Sequence, residues 1–239
     1  MSKNHEGVLI GIEGGDGSGK HTQAIEIVDD LSAQGFNVLF KSYPQYGKPS
    51  ARYAERYLNG VYGSVNQVHP DLAALAYMMD RADYETLEEL REHLSHPENV
   101  VVSDRSPASN MAHQGTKFEL FEDRLRFYRE IVEMEYGVLR EPRPDISVIL
   151  RVPADMAQRN VDSKDASVRT YTTAKRDIHE ADANHLNLAL RGYNEVADFL
   201  PDEFISLDAF TPEYTMRAKD EVHQEIMGLI WARGLLLRR

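Results

Sequence analysis

Nine consecutive residues, Gly14-Gly15-Asp16-Gly17-Ser18-Gly19-Lys20-His21-Thr22, restrict this chain more than any other stretch. They follow a β-branched apolar run, Val8 to Ile12, and precede helical spacing from Thr22 to Gln34. A strand that feeds a glycine-rich turn and then a helix can aim backbone N–H groups inward around an anion. The helix adds its positive N-terminal end, and Lys20 adds a mobile cation suited to β- and γ-phosphates. The bland alternative, a glycine-rich turn without a ligand, is disfavoured because Gly19-Lys20 follows the first glycine at the required distance. Gly14, Gly15, Gly17, Ser18, Gly19, Lys20, His21 and Thr22 are therefore the expected phosphate-binding set.

Four more apolar runs read as strands: Asn37 to Ser42, Val100 to Ser103, Ile146 to Val152 and Phe204 to Leu207. Helical spacing fills Asp71 to Leu94, Phe118 to Val138, Asp177 to Phe199 and Tyr214 to Arg233. Strands alternating with helices this long are parallel crossover units, so the expected fold is α/β: a five-stranded parallel sheet with helices on both faces. No Pro- or Ser-rich linker and no internal repeat divides the chain, which predicts a single domain over 1–239. The polar stretch Val161 to Ala174 lacks helical periodicity and reads as an ordinary solvated loop or as a mobile lid. A lid over about 161–175 is the expectation.

Charge decides which partners to exclude. With 27 Lys+Arg against 39 Asp+Glu the net charge is −12, which argues against a surface that coats nucleic acid or anionic lipid. The chain has no cysteine, so disulfides, thiolate metal sites and cysteine nucleophiles are ruled out. Met1 to Gly7 is polar and no run approaches the ~20 apolar residues of a membrane span. The expectation is a soluble, cytoplasmic protein with no nucleic-acid and no membrane partner.

The position after the lysine of a phosphate loop ordinarily carries the Ser or Thr that ligates magnesium. Here it is His21, and the hydroxyl comes at Thr22, turned by ~100° on a helix. His21 is either a passive surface residue or a group beside the phosphates. A second candidate for the metal lies at the end of the buried-looking run Asn99-Val100-Val101-Val102-Ser103. Ligands of parallel sheets sit beyond the carboxyl ends of strands. Asp104 is thus the expected metal ligand and Arg105 the expected clamp on a phosphate of a second substrate, the alternative being a salt-bridged surface pair.

Five elements then stand in order: Glu13 through Gln23, Tyr43-Pro44-Gln45-Tyr46, Tyr77-Met78-Met79-Asp80-Arg81, Asp104-Arg105-Ser106 continuing through Ser109-Asn110 to His113-Gln114, and Lys175-Arg176-Asp177-Ile178-His179-Glu180. This succession resembles the thymidylate kinases, P-loop nucleoside monophosphate kinases that transfer the γ-phosphate of ATP to dTMP. The resemblance runs from about residue 8 to 200. It implies a three-layer P-loop kinase fold with a short mobile lid, ATP as co-substrate, Mg2+, and a homodimer packed through helices. It also implies that Asp16 accepts the 3′-hydroxyl of dTMP, and that Tyr77 stacks on thymine while Arg81, on the same helix face, donates to O4. By the same resemblance Tyr46 and Arg105 hold the dTMP phosphate, Asn110 and Gln114 read the base edge, and Tyr43 and Pro44 shape the wall.

Three departures qualify it. Some members carry an arginine where this chain has Gly17, and in those without it a lid arginine supplies the charge. Arg169 is accordingly the expected third catalytic cation beside Lys20 and Arg105, with Lys175 and Arg176 as helpers. Ser106 replaces a common Tyr or His, and Gln45 a common Arg. Both thin the phosphate clamp, and they keep open another nucleoside monophosphate such as dUMP, a deoxynucleoside, or a non-catalytic nucleotide-binding role. His93 with His96, and His179-Glu180 with His185, complete no metal set, and Leu235-Leu236-Leu237 is expected to be packed or partner-facing.

Overall fold

In the computed structural model, which describes residues 5–163 and 183–236, strands β1 (Val8–Gly14), β2 (Asn37–Ser42), β3 (Asn99–Asp104), β4 (Ile146–Arg151) and β5 (Phe204–Asp208) form one sheet. All pairings are parallel and the order is β2-β3-β1-β4-β5. The helices are α1 (Lys20–Ala33), α2 (Arg52–Leu58), α3 (Pro70–Arg81), α4 (Tyr84–Leu94), α5 (Pro107–Gly115), α6 (Phe121–Val132), α7 (Ala154–Ser163), α8 (Ala183–Phe199) and α9 (Lys219–Ala232).

The two-residue period of the strands sorts the core into layers. Ile10 is in register with Val102 and Ile146, and these pack with Ile12 and Val148 against Ala24, Ile27 and Leu31 of α1 and Val222, Ile226 and Ile230 of α9. On the opposite face Leu9 and Val101 meet Leu90 and Leu94 of α4, while Ile149 and Phe204 meet α5, α6 and α8. At ~1.5–3 kcal/mol per fully buried apolar side chain, this stripe anchors β1, buried at every residue, and so fixes where the phosphate loop begins. Gly192 lets α8 lie directly on α5, since a Cβ there would stand 2.4 Å from the Ala112 carbonyl.

All five predicted strands are present, extended by one or two residues at β1, β3 and β5. The helical segments differ more. The predicted helix over 71–94 is two helices, because Asp83 is non-helical (φ −53, ψ 120) and its side chain caps α4 by accepting from Thr86 N. The segment predicted over 118–138 begins at Phe121 and changes at Glu133 into a π-helical turn, Glu133–Val138. Val161 is buried in α7, so the last turn of that helix occupies the first residues assigned to the lid. Residues 164–175 of that segment lie outside the described residues.

Leu235 and Leu236 pack into the α1/α9 core, in keeping with a packed tail, and Leu237 lies outside the described residues. His93 Nε2 meets the Asn37 and Val100 carbonyls, a structural contact. No helix among the described residues is long and apolar enough to cross a membrane.

Candidate active site

The loop between β1 and α1 turns through three glycines with positive φ: Gly14 (139), Gly17 (84) and Gly19 (88). At Gly17 the requirement is doubled, since a Cβ there would stand 2.1 Å from the Ala157 carbonyl of α7. The arginine some thymidylate kinases carry at this position has no room here. Lys20, nearly buried, donates to Gly15 O and Asp16 Oδ1, each at 3.3 Å. Ser18 Oγ is buried without a hydrogen-bond partner.

β3 ends beside this loop and delivers Asp104 and Arg105. Asp104 Oδ2 lies 2.9 Å from His21 Nδ1 and accepts from Ser42 Oγ at 3.4 Å, whereas Oδ1 is buried and unpartnered. Burial pushes the Asp104 carboxyl up, but the His21 hydrogen bond and the Lys20 and Arg105 charges outweigh it and hold the group below its ordinary value. His21 meets Asp104 through Nδ1 and keeps most of its side chain exposed. Thr22 is exposed.

Arg105 holds a left-handed backbone, φ 77, uncommon for a residue with a side chain. Such strain persists where surroundings fix it. Arg105 N donates to Ile12 O at 3.1 Å, Nη2 to Asp16 Oδ1, and Nη1 to Ser109 Oγ at 3.1 Å and Tyr193 OH at 3.4 Å. Behind it lies the fully buried Glu13, accepting from Ser106 Oγ (2.6 Å), Ser109 Oγ (2.8 Å) and Tyr193 OH (3.1 Å). Burial pushes the Glu13 carboxyl up; the Ser106 bond and the Arg105 charge act against it. Ser106 also caps α5 through Ala108 N. It braces the site from behind and does not line the cleft.

A cleft extends from Asp16 and Arg105 over the carboxyl ends of the strands. Tyr43, Pro44 and Tyr46 form one wall, Tyr77 and Arg81 of α3 another, and Asn110 and Gln114 of α5 the floor. The nine residues expected to bind the acceptor thus line one cavity. Leu58, Ser109 and His113 line it too. The Tyr43–Pro44 peptide is cis. Tyr77 is partly buried, with its ring edge-on to Tyr57 at 6.2 Å, so it both packs and lines. Gln45 turns away: its Nε2 donates to Asp80 O (2.9 Å) and its Oε1 accepts from Thr86 Oγ1 (2.8 Å). Arg169, Lys175 and Arg176 lie outside the described residues.

Sequence reasoning missed Tyr193, which backs Arg105, and Leu58, which lines the cleft. Nothing local marks them, because each acquires its place by packing against residues distant in the chain; Tyr193 reaches Glu13 across 180 positions.

A phosphate loop on a central parallel strand, an Asp-Arg pair at the end of its neighbour and a polar-floored cleft between them define a P-loop nucleotide kinase. The comparisons narrow this. The thymidylate kinase family matches residues 12–226. The Mycobacterium tuberculosis thymidylate kinase is 31% identical over 179 residues, covering 74% of this chain and 79% of that protein. That from Dinoroseobacter shibae is 28% identical over 220 residues, covering 91% and 96%. Among solved structures, the Candida albicans thymidylate kinase shares the fold with a TM-score of 0.71 at 19% identity, covering 97% of this chain and 94% of that one. The chain belongs to the thymidylate kinase family, and with it to the ATP-dependent nucleoside monophosphate kinases.

Proposed function

We propose that this protein transfers the γ-phosphoryl group of ATP in line to dTMP, giving dTDP. The observation that carries the reading is the convergence of the nine acceptor-site residues on one cleft, whose floor offers Asn110 Oδ1 and Gln114 Oε1 as buried acceptors without hydrogen-bond partners. An imide N3–H supplies the matching donor. Arg81 donates to O4, Tyr77 stacks on the ring, Asp16 takes the sugar 3′-hydroxyl, and Arg105 with Tyr46 holds the phosphate.

The accepting phosphate oxygen is already anionic near neutrality, so positioning and charge suffice and no general base is needed. Gly14 to Thr22 cradle the ATP phosphates, with Lys20 as the cation at the loop. Arg169 joins it when the lid, which begins after α7, closes and excludes water. The unpartnered Asp104 Oδ1 fits a divalent cation, so Asp104, with His21 alongside, would hold Mg2+. When bound, that ion offsets phosphate charge.

The rest of the reading concerns the whole chain. It is one domain over 1–239, acting in the cytoplasm. It works as a homodimer, supported by the apolar face of α3, where Leu72, Leu75 and Met79 are 64%, 50% and 47% exposed at helical spacing.

Lys20→Ala tests the arrangement, because the lysine serves ATP and not the acceptor. Phosphoryl transfer should be lost while dTMP affinity, measured by calorimetry, stays largely intact. A parallel loss of dTMP affinity would overturn this division of the site.

A further inference from the structure

Glu135 sits on the π-helical turn that follows α6 and is fully buried. Arg81 donates to it twice, from Nε to Oε2 at 2.8 Å and from Nη2 to Oε1. Asn110 Nδ2 donates to Oε1 at 3.2 Å and also to the Ala74 carbonyl at 3.2 Å. A side-chain amide nitrogen has two hydrogens, and both are used. Turning the amide over would set its oxygen against a carboxylate and a carbonyl, two acceptors with no proton between them. The Asn110 amide therefore has one orientation, and Oδ1, buried without a hydrogen-bond partner, is the atom left for the cleft that Asn110 lines. The same carboxylate takes the Nε hydrogen and one Nη2 hydrogen of Arg81, which holds the guanidinium in one plane and leaves its other three hydrogens as donors.

A neighbouring carboxylate strengthens the arrangement. Glu141 lies 3.4 Å from Arg81 Nε. Burial first, and then the Glu135 charge, pushes the Glu141 carboxyl well above the usual range, which favours its neutral form. Glu135 makes the two close hydrogen bonds to Arg81.

We propose that Glu135 is a positioning residue that determines base specificity: by locking the Asn110 amide and the Arg81 guanidinium, which line the same cleft, it fixes an acceptor–donor pair. That pair matches N3–H and O4 of thymine or uracil and opposes N3 and the N4 amino group of cytosine. The inference rests on the reading of the cleft as a dTMP site. It assigns the choice of pyrimidine to a residue that touches neither base nor phosphate.

Calorimetric titration of dTMP, dUMP and dCMP into the parent protein, Glu135→Gln and Asn110→Ala tests it. Whichever way a glutamine amide sits, its nitrogen meets an N–H of Arg81, and in one of the two orientations it meets the Asn110 amide as well, so the lock is loosened. The preference for dTMP over dCMP should fall about tenfold in Glu135→Gln, dUMP should follow dTMP, and ATP affinity should hold. An unchanged preference in Glu135→Gln, with a reduced one in Asn110→Ala, would overturn the role of Glu135 and leave the dTMP reading standing. An unchanged preference in Asn110→Ala would overturn both. If Glu135→Gln loses ATP binding as well, amide NMR of the parent protein decides. Both Asn110 Nδ2 protons, identified by their absence in Asn110→Ala, should exchange slowly with and without dTMP, and rapid exchange would overturn the lock.

Discussion

Tyr193 and Arg105 illustrate what a single side chain contributes to this site. The Tyr193 hydroxyl donates to Glu13 and lies 3.4 Å from Arg105 Nη1, linking α8 to Arg105, the proposed phosphate clamp. Hydrogen bonds to charged groups contribute ~1.5–3 kcal/mol, and the long separation sets this one at the low end. Tyr193→Phe should therefore raise the KM for dTMP about tenfold while leaving that for ATP unchanged; steady-state kinetics in each substrate checks it, and a parallel rise in both would contradict it. Gly17 gives a stability prediction. Its positive φ and its 2.1 Å approach to the Ala157 carbonyl mean that Gly17→Ala should cost at least ~1–2 kcal/mol in urea unfolding. A variant as stable as the parent would contradict the packing of α7 on the loop. The phosphate loop was legible in the sequence because its residues are contiguous and its chemistry is backbone chemistry. Glu135 and Tyr193 were not, because an acidic and an aromatic residue on helices carry no local sign of the partners that folding brings to them.

Among the elements, the strands were legible and the helix boundaries less so. The central strands β1, β3 and β4 are short apolar runs whose burial on both faces leaves little choice of structure. Helical periodicity, in contrast, runs unbroken through Ala82 and Asp83, and only the competition of the Asp83 carboxylate for the Thr86 N–H separates α3 from α4. That break lets α3 end at Arg81, facing the cleft, while α4 packs on the sheet. The cap carries a pH signature. The Thr86 hydroxyl above all, against a smaller effect of burial, holds the Asp83 carboxyl below its ordinary value. Its native value thus lies below the unfolded one, so the stabilisation is complete above the unfolded value and is lost as pH falls through the native value. Asp83→Ala should cost ~0.5–2 kcal/mol near neutrality. Its deficit in urea unfolding should shrink as pH falls below about 4. A deficit independent of pH would mean that the carboxylate charge plays no part.

At the scale of the whole molecule, a chain of net charge −12 handles polyanionic substrates through a few converging cations. Lys20 and Arg105 share the Asp16 carboxylate, and in the proposed mechanism the transferring phosphoryl calls for a further positive group. Arg169→Ala should accordingly lower turnover by ~10³-fold or more with little change in dTMP affinity, as for other arginine fingers. Turnover within a few-fold of the parent would pass the role to Lys175 or Arg176. Assembly has its own test: Leu75→Asp, on the exposed face of α3, should convert a dimer to a monomer in sedimentation, and a parent protein that sediments as a monomer would contradict the homodimer. The central claim, that the cleft selects thymidylate and passes it the γ-phosphoryl of ATP, is tested most directly by ADP release with dTMP, dUMP, dCMP, dGMP and thymidine side by side. The highest kcat/KM should be that for dTMP, with dCMP, dGMP and thymidine poor. Equal turnover of dCMP, preference for thymidine, or no turnover of any acceptor would contradict it.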